Sequence, residues 1–424
     1  MTQSAVSPEQ LRVIRGEIAR LLPDSVYTLY DTFHIPGVER HAKALAESRG
    51  LDVSLAQTIA LLHDYARIQY GIIGKPHALT GAKLSRKFLQ EVGLKMATID
   101  LITNAIAVHN QKKKVHGYYA ELIKDADALA HRDEANGIPE DVYEALRCQW
   151  AFEPPASFQV AEDLQPQKIL QALLDAVADQ LQVQTPDDIT ADWVHDTRVH
   201  IRKVRSLLWL YDDGQTRVSQ TLAAIEKPLK KIFRHLEVSR ESYILLQSLQ
   251  GVKGLKALKK YLEDLLESER IRLYQWIKRT GQRDRVGDLE PLVAPFIKAI
   301  EGRPILLEDK FDDYTGAVAA SDIKDVDSLH RVRIAGKRIK YLTALGLLTL
   351  GEEDTLLIRT LHDQLGTWHD REVNKALIED LVDSGKLTLS EKQGIKLDHH
   401  FVQWKKKERK DLRTNLFHLK LRFR

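Results

Sequence analysis
Two kinds of chemistry can be read from residue types and their spacing. The first is a crowd of histidines. His34, His41, His63, His77, His109, His116 and His131 all precede Pro154, His63 is followed at once by Asp64, and Asp127 stands in the string LIKDADALAH. A lone buried His-Asp pair is usually a hydrogen-bonded core feature, but imidazoles and carboxylates gathered in this number suit first-row divalent metals. Six such ligands spread over several helices can hold two ions with positions left open for water. The second is a basic helix face. His195, Arg198, Arg202 and Arg205 lie at offsets of three, seven and ten, which places them within roughly 80° of helix surface. A single face of this kind is usually solvated. Here it recurs in register, histidine included, as His330, Arg333, Lys337 and Lys340, and that marks an internal duplication. Each copy has a later echo: LKKIFRHLEVSRE from Leu229 aligns with IRTLHDQLGTWHDRE from Ile358, setting Leu236 opposite Leu365 and Arg240 opposite His369.

The order of the first group resembles the HD superfamily of metal-dependent phosphohydrolases over about Tyr27 to Trp150. In that superfamily a histidine precedes a His-Asp doublet, a distant aspartate follows, and members with two metals add two histidines between. The resemblance implies His34, His63, Asp64, His77, His109 and Asp127 as ligands of one or two divalent ions, with iron, manganese, zinc, magnesium and nickel all left open. Asp125 competes with Asp127 for the last place but aligns less well. At such a site Asp64 can bridge two cations, which lower the pKa of a water, and Arg67, one helical turn past His63, is positioned as a catalytic contact to phosphate oxygens. The run Lys112-Lys113-Lys114 is either a second such contact or an ordinary surface patch. His41 and His131 read as structural, and His116 stays undecided. The string HDYAR is also similar to the diadenosine tetraphosphatase branch, from which Asn110-Gln111 and the lysine-rich stretch after it depart.

The repeated basic faces resemble the CHAD family, the conserved-histidine α-helical domain, over about Leu164 to Arg424. The resemblance implies two helical bundles facing a basic channel that binds inorganic polyphosphate. It carries to His195, Arg198, Arg202, Arg205, His330, Arg333, Lys337 and Lys340. The first copy's second motif is the weakest match, since Glu237 and Glu241-Ser242 stand where the other copy has Gly366 and Asp370-Arg371.

The elements that must position these residues are helices. Every long periodic segment has helical spacing, so the chain is expected to be all-α: an HD-type domain over 25–153 and a duplicated CHAD domain over 164–424, with repeats at about 164–280 and 290–424. Ser7-Pro8-Glu9-Gln10 reads as a capped helix start, His34 precedes a Pro-Gly turn, and VSLAQTIALLHDYARI reads as one helix. A proline-rich linker lies between Glu153 and Pro166. GLKALKKYLEDLLESERIRLYQWIKR reads as one long helix, Gly281 to Asp309 as the repeat junction and Leu350 to Asp354 as a turn. In the tail, Lys405, Lys406, Lys407, Arg409 and Lys410 either line the channel or face solvent.

The 63 basic and 60 acidic residues nearly cancel, and neither half is strongly charged in sum. A basic face on a balanced domain suits a charged channel better than a general nucleic-acid surface, and no aromatic platform interleaves with it, so nucleic acid is not the expected partner. The single cysteine, Cys148, excludes an internal disulfide and is compatible with a reducing compartment. The start lacks the features of a secretory signal and no apolar run approaches a membrane span, so a cytoplasmic location is expected, with polyphosphate granules as a place of association. Two functions follow. Either the first domain hydrolyses phosphoanhydride or phosphate ester bonds and the second grips a polyanion that can be the same substrate, or the second tethers the protein to polyphosphate while the first acts on an unrelated nucleotide or is regulatory. A phosphorylated small molecule is a substrate compatible with both.

Overall fold
The computed structural model describes residues 5–74, 76–135, 137–160, 165–212, 214, 216–280, 290–301, 307–402 and 406–424. Among them the chain is almost wholly α-helical; the one strand pairing joins Gln159–Val160 to Leu348–Thr349. It divides into two compact units, one made of Met1–Ala156 with Thr414–Arg424 and the other of Ser157–Arg413. No helix among the described residues is long and apolar enough to cross a membrane.

The first unit opens with the helix Pro8–Leu21, started by a reciprocal capping box between Ser7 and Gln10. The next helix, Thr28–Ser48, runs straight through Pro36, where a Pro-Gly turn was expected. Proline removes one helical N–H, but the burial of Ile35, Val38, Ala42 and Leu45 on both sides of it holds the helix together. Gly37 lies against Ala130, so that a Cβ added there would stand 3.6 Å from the alanine's own. The expected single helix around the His-Asp doublet is broken. Val53–Leu62 ends at His63, Asp64 leaves helical geometry (φ −109°, ψ 22°), and Tyr65–Tyr70 follows as a separate helix. Helices His77–Glu91, Met96–Val108, Tyr118–Glu134 and Val142–Trp150 complete the unit, around a core that includes Ile59, Leu62, Ile102, Ile106, Leu122 and Ile123.

Helix Tyr118–Glu134 is buried on every face from Ala120 to Ala130. Its charged residues must therefore find partners inside the protein. Arg147, fully buried, donates to Glu121 and Asp125 at 2.9 Å each and to the backbone carbonyls of Lys112 (2.9 Å) and Lys114 (3.1 Å). Arg49 and Arg424 also reach Asp125, both at 2.6 Å. Lys124 donates to Glu121 at 2.8 Å and contacts His116 Nδ1, which places His116 in this network. Breaking a buried ion pair from one side typically costs about 3–5 kcal/mol. Arg147→Met is accordingly expected to lower the unfolding free energy of this unit by that order, as read by urea denaturation; a change below ~1 kcal/mol would mean that Arg49, Arg424 and Lys124 suffice.

In the second unit, helices Pro166–Gln180 and Ala191–Tyr211 precede Thr216–His235, Glu237–Ser248 and the long Lys256–Thr280. The second copy supplies Glu290–Ile300, Leu307–Ala319, Val326–Ala344, the 32-residue helix Glu352–Asp383, and Glu391–Val402. The echoed motif thus lies on two helices broken at Leu236 in the first copy and on one continuous helix in the second. The expected junction at 281–309 contains the helix Glu290–Ile300; residues 281–289 and 302–306 of it, and 161–164 of the linker, lie outside the described residues. The expected turn at 350–354 is short, because Gly351 caps a helix that begins at Glu352. The second unit closes at Arg413, short of the expected domain end at 424. The difference has a packing cause: within the first unit Phe417 stacks edge-on against Tyr143, Arg422 lies 4.1 Å from the centre of the Trp150 ring, and Arg424 enters the buried network.

Candidate functional site
In the first unit, three helices and two helix ends bring the six expected residues together. His34 comes from the middle of Thr28–Ser48, His63 and Asp64 from the break between two helices, and His77 from the first turn of His77–Glu91. His109 caps Met96–Val108, and Asp127 lies within Tyr118–Glu134. The break at Asp64 sends the carboxylate between two groups of imidazoles. Its Oδ2 lies 3.0 Å from His63 Nε2 and 3.7 Å from His34 Nε2, while its Oδ1 lies 3.4 Å from His77 Nε2 and 3.6 Å from His109 Nε2. Asp127 Oδ1 lies 3.2 Å from His34 Nε2.

Whether this set fits metal ions can be judged from the far side of each ring. His63 Nδ1 and His109 Nδ1 donate to the carbonyls of Ala60 and Ile106 at 2.7 Å each, and His77 Nδ1 donates to Gly74. Those acceptors hold the proton on Nδ1 and turn a bare Nε2 lone pair inward. The Nε2 atoms of His77 and His109 then face each other at 3.0 Å, and those of His34 and His63 at 3.3 Å. The facing lone pairs of His77 and His109 repel unless a cation lies between them. Asp64 Oδ1 is buried and accepts no hydrogen bond, so the donor set fits divalent ions in number, type and orientation. His34 Nδ1 meets Glu134 at 2.7 Å. Burial works against charge on His34, yet its hydrogen bonds to Asp127 and Glu134 raise its pKa to about 9. Burial likewise opposes charge on Asp64, but His63 and His109 hold its carboxyl well below the usual range.

The other expected residues sort by geometry. Arg67 lies 2.7 Å from both Asp64 and Asp31, and its guanidinium stands 4.8 Å from the ring centre of Tyr30. Of the lysine run, only Lys112 reaches the cluster, 2.5 Å from Asp127 Oδ2; Lys113 and Lys114 are exposed. Asp125 faces arginines and not the histidines. His41 pairs with Asp133 at 2.7 Å, away from the cluster. His131, read from the sequence as structural, lies 3.4 Å from Asp127 Oδ1 and stacks on His34, inside the group. Its place one helical turn beyond Asp127 was the available signal.

In the second unit, helices Ala191–Tyr211 and Val326–Ala344 pack on each other. Their basic faces meet: Arg202 acts on Arg333, Lys337 and Arg198 through like-charge repulsion, with Asp370 the one acid favouring charge on both Arg333 and Lys337. Arg198 and Arg333, equivalent in the two copies, share a further feature. Each is 8 % exposed, and each has a buried Nε with no hydrogen-bond partner. Burial, then Arg202, lowers the pKa of Arg198 to about 10; burial lowers that of Arg333 to about 10 against the pull of Asp370, while burial with Arg202 and Arg333 lowers that of Lys337 to about 6. Phe233 supports the first copy, its ring centre 3.8 Å from the Arg198 guanidinium and 5.2 Å from that of Arg202. At the aligned position the second copy has His362, whose ring lies so close to Gly336 that an added Cβ would fall 1.5 Å from its Nε2. Only glycine fits there.

His195 and His330 border the cluster, both held toward the neutral form by burial and then by Arg240 and Arg333 respectively. Arg205 and Lys340 are directed elsewhere, to Glu226 at 2.8 Å and Asp363 at 3.1 Å. Arg240 and His369, the echoed pair, do belong: each is influenced by Arg202, and the His369 ring lies 5.3 Å from that of His330. Their alignment in the duplicated motif could have marked them. Lys406, Lys407, Arg409 and Lys410 are exposed, and Lys405 lies outside the described residues.

The CHAD domain family matches residues 168–379, half of the chain. The chain belongs to this family. An HD domain matches residues 33–132 ahead of it, so the order is HD then CHAD. The HD domain implies divalent-metal binding, in keeping with the His/Asp groups above. Among curated proteins, the chain is similar to Ribonuclease Y of Clostridium botulinum (strain Hall), 28% identical over 97 residues that make up 23% of this chain and 17% of that protein. It is also similar to Ribonuclease Y of Aquifex aeolicus, 30% identical over 113 residues, 27% of this chain and 19% of that protein. The chain thus spans less than a fifth of the length of these relatives. No solved structure matches it.

Proposed function
We propose that the HD unit is a metal-dependent phosphohydrolase acting on phosphoanhydride or phosphate ester bonds, and that the CHAD unit binds inorganic polyphosphate. One observation carries the first part: the buried Asp64 carboxylate, with one oxygen turned toward His34 and His63 and the other toward His77 and His109. One or two divalent ions held by His34, His63, Asp64, His77, His109 and Asp127 would supply Lewis acidity and an activated water. The chain's own residues do the rest. Backbone carbonyls keep the ring protons on Nδ1, Asp31 and Tyr30 hold Arg67 beside Asp64 where it can meet a phosphate oxygen, and the buried walls limit water. The partner reading rests on Arg198, Arg202, Arg333 and Lys337, a cluster of cations with too few acids. A strand bearing negative charge on every unit would relieve that repulsion through charge-assisted bonds.

The substrate test is phosphate release from polyphosphate, a nucleotide panel and an RNA oligonucleotide, with each of Mn, Fe, Zn, Mg and Ni. RNA is included because of the similarity to Ribonuclease Y. Metal-dependent release from at least one substrate supports the reading. No release from any, or release that survives chelation, would overturn it.

Polyphosphate affinity should also depend on pH. Burial, then Arg202 and Arg333, lower the Lys337 pKa to about 6, and an adjacent polyanion raises that value, so binding takes up a proton at any pH between the two values. Affinity is then expected to be level below about pH 6 and to fall as pH rises above it, by at most roughly tenfold per unit for one proton. Lys337→Arg, which keeps its charge, should remove the slope. Isothermal titration with long-chain polyphosphate at pH 5.5, 7 and 8.5 measures it, and equal affinity at all three would contradict the assignment.

A further inference from the structure
Lys112 is the one residue of its run that turns inward. Its side chain is 10% exposed and its ammonium lies between Asp127 Oδ2 at 2.5 Å and the backbone carbonyl of Lys124 at 3.0 Å. Asp127 is thereby divided: Oδ2 belongs to Lys112, and Oδ1 is left toward His34 and His131. A surface lysine would not hold that position against its own rotamer entropy. Here the backbone it hangs from is gripped. Arg147 donates to the carbonyls of Lys112 and Lys114, and Lys124 donates to that of Lys114 at 2.9 Å. Arg147 is set in turn by Glu121 and Asp125, the two carboxylates that Arg424 also contacts, at 3.3 Å and 2.6 Å. The contacts form a continuous run within the first unit: Arg424, Glu121 with Asp125, Arg147, the Lys112 backbone, the Lys112 ammonium, Asp127.

We propose that Lys112 is a positioning residue for the metal centre, presenting Asp127 through Oδ1 alone, and that Arg147 and Arg424 position Lys112. The proposal rests on the metal-binding reading of the HD unit. It makes the segment Thr414–Arg424 part of the machinery that shapes that centre. The sign of the effect separates it from simple electrostatics. A positive charge beside a cation site repels the cation, so on charge alone Lys112→Met should tighten metal binding. Loss of an outer partner that orients a ligand weakens it, typically by roughly tenfold to a hundredfold.

The experiment is titration of the metal-free full chain with Mn2+, followed by calorimetry, for wild type, Lys112→Met, Lys112→Arg and Arg424→Met, with thermal unfolding of each metal-free protein alongside. Expected are a Mn2+ affinity roughly tenfold or more weaker for Lys112→Met, substantial recovery in Lys112→Arg, and a smaller loss in Arg424→Met without loss of the fold. Mn2+ binding by folded Lys112→Met that equals or exceeds wild type would overturn the proposal. If Lys112→Met fails to fold, Arg424→Met decides, and wild-type affinity there would overturn the role of the terminal segment and of the run of contacts. A wild-type chain that binds no Mn2+ would bring down the metal reading itself, and this proposal with it.

Discussion
Asp64→Asn is expected to strip the HD unit of bound divalent metal and with it all metal-dependent phosphate release. The substitution barely changes the volume of a buried side chain, so the fold should survive, but it removes the negative charge that both groups of imidazoles face. A site for two ions with neutral ligands on both sides and one remaining carboxylate, Asp127, cannot balance their charge in a buried setting. His63→Ala should act in the same direction. Metal content after dialysis and phosphate release on the best substrate measure the effect. Full metal occupancy in folded Asp64→Asn would show that the metal does not depend on Asp64, and a folded wild type without bound metal would leave the cluster a hydrogen-bonded core feature.

The second large effect concerns Arg198 and Arg333. They hold the same position in the two copies and are buried to the same degree, so they should contribute about equally to polyphosphate binding. A hydrogen bond to a charged group is worth about 1.5–3 kcal/mol, and each alanine variant should therefore weaken binding by roughly tenfold to a hundredfold. Each lost phosphate contact also releases fewer counterions. By analogy with single-stranded nucleic acid, the logarithmic salt slope should drop by about 0.7 per contact, hence by about 1.4 in the double variant. His195→Ala and His330→Ala should matter less, because burial and nearby cations keep both rings toward the neutral form. Affinity measured at four salt concentrations decides, and an unchanged slope in the double variant would leave two ordinary helices. If only one single variant has an effect, the binding surface is confined to one copy.

Much of this was legible because it is periodic or local. The offsets of three, seven and ten put Arg198 and Arg202 on one helix face wherever the helix lies, and the register of the second copy foretold that Arg333 and Lys337 would share their surroundings. What escaped is non-local. Pro36 reads as a turn until the burial of Ile35 and Val38 is known, and the break at Asp64 is invisible in an apolar run that continues through it. Arg205 and Lys340 fit the basic pattern, but local acids, Glu226 and Asp363, capture them. Lys112 could not be told from Lys113 and Lys114, because what separates them is Arg147 and a residue 299 positions from Asp125, Arg424.

If two separate chemistries reside in one chain, one set of variants can separate them. Bound metal and polyphosphate affinity would be measured together on Asp64→Asn and on the Arg198→Ala, Arg333→Ala double variant, each verified by circular dichroism as helical. The expected result is crossed: the first variant loses metal and binds polyphosphate as wild type does, and the second keeps its metal and loses polyphosphate. A folded variant that loses both properties, or neither, would contradict it.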